Sequence, residues 1–484
     1  MDNVSAADFA FGSFHDHPSG TYLMTAYVVF VATLFSMWMI RMRGLEAAFL
    51  KSWMPFFLML PFSFFVDIPG LPDPNFMQAA ILPILFVLLV TRKDEMRAGL
   101  MEALIACYLV LRVVMDYQSR GYADAQNYAF YLFSSLLGPY LLGRYIINRR
   151  EMDIATARQF VLIFIVLFPI FIYELVFWIS PIYKLMLPLF PSSTPAMSLR
   201  YGMARTFGPF EHPILACVMI VAVYRLHRWL SWKGEWDKPQ GGWLGWLDAK
   251  TRWTRIPLKY KISVALIAMA IMTISRGPWI GGFAGATLTA AGNFRNRKRW
   301  LWIAFVLLIL GAGGGKMALD AYVTPAVGEA ISGEAQTMLY RKELVERYKD
   351  YMYEKMWTGW GLNTRPKIKG MESVDNAYLG MALQHGILAP ILFVFIFIYA
   401  IASQIRLGLR APPGEPPIGF TFAGIYLAAF VSFATVYMGS QTEPMLFLLL
   451  GWGESIKHRR PEKQDVFQTP SLPSAALPFR KILY

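Results

Sequence analysis

Apolar runs of up to about 20 residues recur from about residue 22 to about residue 455, separated by short clusters of charge, Gly and Pro. A helix of roughly 20 apolar residues crosses about 30 Å of bilayer hydrocarbon. The pattern predicts spans near 22–40, 52–66, 76–90, 98–115, 127–147, 159–180, 212–231, 260–275, 277–292, 300–316, 383–403, 418–438 and 443–456. The last run is short. The pair flanking Ser275-Arg276-Gly277-Pro278 reads either as two helices or as one bent helix. The expectation is an all-α polytopic membrane protein with about 12–13 transmembrane helices, residues 1–460 forming a single transmembrane domain.

Composition removes the soluble alternative. Only 16% of the 484 residues are charged and 56% are hydrophobic, with a mean hydropathy of +0.40, against roughly 25% charge in an ordinary soluble domain. The formal charge of +14 would suggest nucleic acid in a soluble protein. Here orientation explains it, because Lys and Arg gather in cytoplasmic loops, and no nucleic-acid partner is expected. With 41–51 taken as cytoplasmic, the loops on that side (41–51, 91–98, 144–158, 225–261, 293–299, 404–417 and the tail from 457) carry 31 Lys/Arg. The short loops opposite carry 5. This puts the C-terminus inside and the N-terminus outside. The first 21 residues contain no Lys or Arg, so they lack the basic start of a cleavable signal and the first apolar run is expected to stay in place. Cys107 and Cys217 both sit in apolar runs and offer no disulfide framework or metal site.

One outer connection, 317–382, is far longer than the rest, and connections of that length commonly carry function. Within it EAQTMLYRKELVERYKDYMYEKMW (334–357) is free of Gly and Pro. Met338, Leu339, Val345, Tyr348, Met352 and Met356 predict the apolar face of an amphipathic helix lying on the bilayer or against the bundle. The turn-rich GWGLNTRPKIKG (359–370) follows. The Trp- and Lys-rich 232–255 reads as a cytoplasmic interfacial anchor. Residues 461–484, with four prolines, read as a mobile cytoplasmic tail. No half of the chain repeats the other, which weakens a transporter reading.

Four polar groupings fall on the outer side: Arg200, Arg205, Glu211 and His212 in 200–213; Arg276 in 275–279; Arg341 in the long loop; and Asp375, Asn376 and His385 in 373–386. Ionisable groups bordering the apolar zone suggest function. Plainer roles exist for each. Arg205 snorkels to headgroups; Arg276 caps a helix or meets a lipid phosphate; Arg341 belongs to a solvated helix face. Asp375 caps the helix beginning near Asn376; Glu211 and His212 open the next span; His385 is a packed polar side chain. What unites the arginines is an anionic ligand reached from outside, since a guanidinium binds phosphate oxygens through two parallel hydrogen bonds and stays charged. A lipid-borne pyrophosphate is such a ligand. The outer loops hold no DxD-like acidic pair, so neither a metal nor a cofactor is expected and arginines would stabilise the leaving group.

The stretches RTFGPFEHPILA (205–216), SRGPWIG (275–281), LYRKEL (339–344), GWGLN (359–363) and VDNAYLGMALQHGIL (374–388) resemble, in order and spacing, the O-antigen ligase and polysaccharide polymerase family of bacterial inner-membrane glycosyltransferases. The resemblance runs from about residue 200 to about 400. It implies transfer of a glycan from undecaprenyl pyrophosphate to an acceptor hydroxyl at the periplasmic face, with inversion at the anomeric carbon. It also implies membrane lipids as surroundings and a chain-length regulator or export complex as a partner. Ligases of the family open the last motif with His-Asn, the His being a proposed base; this chain has Asp375-Asn376. The expectation is therefore a polymerase joining repeat units of an exopolysaccharide or O-antigen, ahead of a ligase to lipid A-core. Arg205, Arg276 and Arg341 would hold the pyrophosphate while Asp375 orients or deprotonates the acceptor. Asn376, Arg200, Glu211 and His212 would line the substrate, the last two as second-choice acid/base groups. A flippase of the same lipid-linked glycan is the reading from another class.

Overall fold

A computed structural model describes residues 22–66, 72–190, 197–323, 333–362, 364–371, 373–412 and 417–459. The N-terminal 1–21, the tail 461–484 and Asn363 of the GWGLN motif lie outside the described residues. Each of the thirteen expected runs overlaps helix, and the protein is an all-α polytopic membrane protein. The order is α1 (Tyr22–Arg43), α2 (Leu45–Ala48), a π-helical turn (Phe49–Trp53), α3 (Met54–Met59), α4 (Phe76–Thr91), α5 (Leu100–Arg120) and α6 (Tyr122–Leu132). A second π-helical turn (Phe133–Leu137) leads to α7 (Gly138–Tyr145), α8 (Arg150–Phe177) and the short α9 (Pro181–Met186). A two-stranded hairpin, β1 (Leu199–Arg200) and β2 (Met203–Ala204), precedes α10 (Pro213–Trp232), α11 (Gly242–Lys250), α12 (Leu258–Met272), α13 (Arg276–Asn293) and α14 (Arg297–Val323). Then come α15 (Gly333–Glu354), α16 (Ala377–His385), α17 (Leu388–Arg410), α18 (Ile418–Ser432) and α19 (Thr442–His458).

Among the described residues, five helices are long and apolar enough by themselves to cross a membrane: Thr25–Arg43, Arg150–Phe177, Pro213–Trp232, Arg297–Gly315 and Leu388–Arg410. Their outward faces carry large apolar side chains such as Leu34, Val176, Leu310 and Phe395, which lipid solvates at no cost. Inside, small residues bring backbones together, as expected where lipid tails give helices no hydrophobic reason to associate. A Cβ on Gly285 of α13 would stand 2.1 Å from Gly424 O of α18, and one on Gly451 of α19 2.0 Å from Tyr140 O of α7.

The Ser275-Arg276 junction separates two helices, so the single bent helix is not what forms. Ile274 there has φ 48°, a left-handed conformation that a β-branched residue adopts only when its surroundings impose it. The run expected at 383–403 is also divided: Gly386, at φ 75°, ends α16, and a Cβ there would meet Trp357 O at 2.2 Å.

The 317–382 stretch holds a helix, α15, whose apolar face is rotated from the expected one. Leu344 and Tyr348 are buried against Met371, Val374, Leu379 and Leu383, with Met352 beside them. Val345, expected inward, is 47% exposed. The helix therefore packs on the 371–374 segment and α16, and the turning point is Leu344, one residue from the expected position.

Candidate functional site

Most of the polar residues singled out in the sequence lie at or near the ends of these elements. The hairpin turns through Tyr201 (φ 55°) and Gly202 (φ 73°), the pair of positive values that a two-residue antiparallel turn requires. Arg200 Nη1 then donates to Ile274 O at 3.1 Å. Arg205 Nε donates to Thr273 O at 3.2 Å and its Nη2 to Ser275 Oγ at 3.0 Å. Both arginines are thus fastened to the α12–α13 corner, whose left-handed Ile274 turns its carbonyl toward them. Arg205 is buried. Arg276 opens α13, donates to Tyr201 Oη and lies 5.7 Å from that ring's centroid, at the exposed rim of the same hairpin.

Arg341 comes from α15. The neighbouring Tyr340 Oη donates to Ser373 O at 2.6 Å and Tyr348 Oη to Met371 O at 2.8 Å, so α15 grips the backbone that leads into Asp375. Ser373 Oγ donates to Asp375 Oδ1 at 2.7 Å. The N-cap of α16 is Asn376, whose Oδ1 accepts from Tyr378 N and Leu379 N at 3.0 and 3.1 Å. Asp375 is therefore free of the capping role considered for it, and Asn376 has its amide NH₂ left for a ligand.

Electrostatics tie these segments to one place. Burial lowers the affinity of Arg205 for its proton to a pKa of about 10, with Arg200 and Arg341 adding to the effect and Asp375 opposing it. Burial lowers Arg341 too; Asp375 opposes this and Arg200 adds to it. His212 falls to about 3, through burial first and then the charges of Arg205, Arg200 and Arg341. Its Nδ1 accepts from Ile214 N at 3.1 Å, capping α10, so the neutral ring carries its proton on Nε2 and presents a donor. Burial pushes the Glu211 carboxyl up, and Ser440 Oγ donates to its Oε1 at 2.6 Å. None of Arg200, Arg205 and Arg341 forms an ion pair among the described residues. Among the described residues, Ser198 Oγ, Thr206 Oγ1, Glu211 Oε2, Arg341 Nε and Tyr437 Oη are buried polar atoms of these segments without partners. Such atoms are rare in a finished interior and mark a place where a polar ligand fits.

His385 lies apart, buried and stacked on Tyr128 at 5.5 Å, in the packed role expected of it. Along α15 an open groove of about 490 Å³ is lined by Arg347, Asp350, Tyr351, Glu354 and Ile368, none of them in the arginine cluster.

Three contributions are absent from the sequence reading. Glu174 of α8 accepts from Phe207 N and Gly208 N at 2.9 and 2.8 Å through Oε2, shaping the 205–212 segment. Tyr437 and Ser440 come from the connection between α18 and α19. Arg112 of α5 pairs with Glu443 of α19 at 2.6 Å just beyond that connection. Charge inside an apolar run was the signal available for Glu174 and Arg112; Tyr437 and Ser440 left none.

No curated protein matches the chain. Residues 262–394 match the family model described as O-antigen ligase, a stretch that contains Arg276, Arg341, Asp375 and Asn376, while Arg200, Arg205, Glu211 and His212 precede it. Over that stretch, reaching from α12 into α17, the chain is similar to the O-antigen ligase family.

Proposed function

We propose that the protein is a polysaccharide polymerase of the inner membrane, transferring a glycan from undecaprenyl pyrophosphate to an acceptor sugar hydroxyl at the periplasmic face without a metal ion. Glycan transfer of the ligase or polymerase type follows from the family; donor, acceptor and site are our reading. The observation that carries it is that Arg200 and Arg205 from one stretch and Arg341 from another all act on His212, while none of the three forms an ion pair among the described residues. Cations gathered in this way call for an anion, and a diphosphate presents oxygens to several guanidiniums at once. Arg276, at the rim, meets the distal phosphate or the lipid side of the ligand.

In the reaction the acceptor oxygen attacks the anomeric carbon and forms the new glycosidic bond, the bond from that carbon to the phosphate oxygen breaks, and the diphosphate leaves with the electron pair. The acceptor proton passes to Asp375, oriented by Ser373. The arginines stabilise charge developing on the leaving diphosphate, and the Nε2–H of neutral His212 adds a donor. Lipid enters between spans, and the 317–382 loop covers the site during transfer.

Reconstitution with a purified lipid-pyrophosphate oligosaccharide tests this. A ladder of products is expected in the presence of chelator, and Arg276→Ala abolishes it while the protein still inserts. A ladder identifies a polymerase; single transfer to lipid A-core identifies a ligase. Dependence on an added divalent ion, or an unchanged ladder from Arg276→Ala, overturns the mechanism.

A further inference from the structure

Residues 433–441, between α18 and α19, lie beyond the sequence motifs and beyond the family match, yet they border three of the segments that build the arginine cluster. Phe433 O accepts from Ala377 N at 2.9 Å, two residues from Asp375. A Cβ on Gly277 would stand 2.3 Å from Thr435 Oγ1, so the connection runs against the first turn of α13 beside Arg276. Ser440 bonds Glu211, and the Tyr437 ring stands edge-on to His212 at 6.2 Å.

Behind it the connection is anchored. Gln441 Nε2 donates to Leu60 O at 3.0 Å. Two residues on, Glu443 is held by Arg112 at 2.6 Å and by Tyr131 Oη at 2.9 Å, all three buried. A wall fixed in this way presents its groups without an ordering cost at binding.

Among the described residues, two polar atoms at this wall have no partner: Tyr437 Oη, a donor, and Glu211 Oε2, an acceptor. Glu211 and Asp375 are the carboxyl groups that act on the Tyr437 hydroxyl. A phosphate set against these two carboxyls would be repelled, so this side of the cluster suits a neutral, hydroxyl-rich part of the ligand. A donor beside an acceptor matches sugar hydroxyls, each of which can accept from one and donate to the other.

We propose that Tyr437 and Glu211 form a hydroxyl-reading subsite, Tyr437 Oη donating to and Glu211 Oε2 accepting from the sugar next to the diphosphate, so that 433–441 determines which glycan is transferred. This rests on the lipid-diphosphate reading above.

The test is equilibrium binding to the full chain in nanodiscs, using undecaprenyl pyrophosphate alone and the same lipid bearing its oligosaccharide. Tyr437→Phe is expected to bind the bare lipid as the parent does and the glycan-bearing lipid about tenfold more weakly, the loss of one hydrogen bond to a buried partner. Glu211→Gln, with its acceptor weakened, is expected to show the same selectivity. Unchanged affinity of Tyr437→Phe for the glycan-bearing lipid overturns the subsite and leaves the diphosphate reading standing. Equal weakening toward both lipids also overturns it, since the hydroxyl would then support the fold and not the sugar. Failure of the parent protein to bind either lipid overturns both proposals.

Discussion

Removing one partner of the Arg112–Glu443 pair is expected to be among the most damaging single changes in the molecule. The two charges are 2.6 Å apart with side chains 6% and 5% exposed, and Tyr131 Oη donates to the second carboxylate oxygen at 2.9 Å. In Glu443→Ala the guanidinium stays buried with Tyr108 Oη, at 3.2 Å, as its remaining hydrogen-bond partner among the described residues, and Tyr131 loses its bond to the Glu443 carboxylate. An uncompensated buried charge costs about 3–5 kcal/mol. The double variant Arg112→Met, Glu443→Leu removes the attraction and the burial of charge together, and replacements of this kind are commonly near neutral, within about 1–4 kcal/mol of the parent on the stable side. Apparent melting midpoints in detergent, followed by tryptophan fluorescence, provide the comparison. Glu443→Ala should melt far below the parent and the double variant close to it. A double variant as unstable as the single one would refute the reasoning, because the loss would then come from shape and not from an orphaned charge.

Two further outcomes follow from the site. His212, with a pKa brought from 6.5 to about 3, binds fewer protons folded than unfolded between those values, so its contribution is complete above pH 6.5 and is lost as pH falls toward 3. His212→Asn keeps a cap acceptor for α10 and removes the titration, and its stability measured against pH should fall less steeply than the parent's across that window; parallel curves would sink the assignment. Gly208 has φ 60°, and a Cβ there would stand 2.6 Å from the ring of Phe171, which is fully buried. Gly208→Ala should cost about 1–3 kcal/mol from overpacking and reduce transfer by disturbing the bonds from Phe207 N and Gly208 N to Glu174; a variant with parental melting and activity would show that the segment can yield.

Hydropathy made the helices legible because lipid demands long apolar segments whose backbone groups are satisfied internally. Their ends were legible only where polarity and helix stop together. α8 begins at Arg150, well before the expected 159, because Asp153 is paired with Arg459 at 2.5 Å and bonded by Trp452 at 2.6 Å, which lets a polar first turn stay inside the protein. α5 runs to Arg120 for a similar reason: Asp116 accepts from Arg120 at 2.8 Å and from Leu362 N at 3.2 Å. The run expected at 52–66 is helical over Leu45–Met59 and extended afterwards, because Pro61 biases Leu60 away from helix, to ψ 136°. In the site, the motifs pointed to Arg205, Arg276, Arg341 and Asp375 through charge beside apolar runs. Tyr437 and Ser440 carry no charge and stand in no motif, and their place depends on a connection between helices remote in sequence from the rest.

The touching backbones at Gly285 and Gly424 have a mechanical consequence. Helices α13 and α18 meet backbone to backbone at Gly285 and Gly424, and Gly277 lies against Thr435 where one begins and the other has just ended. The pair moves as one stiff beam, with Arg276 at its tip and the Tyr437 segment continuing from the same end. Bilayers of differing thickness tilt single helices to match their hydrocarbon, but a fused pair tilts as a unit. The separation between those two parts of the pocket is thereby insulated from the lipid composition around the protein.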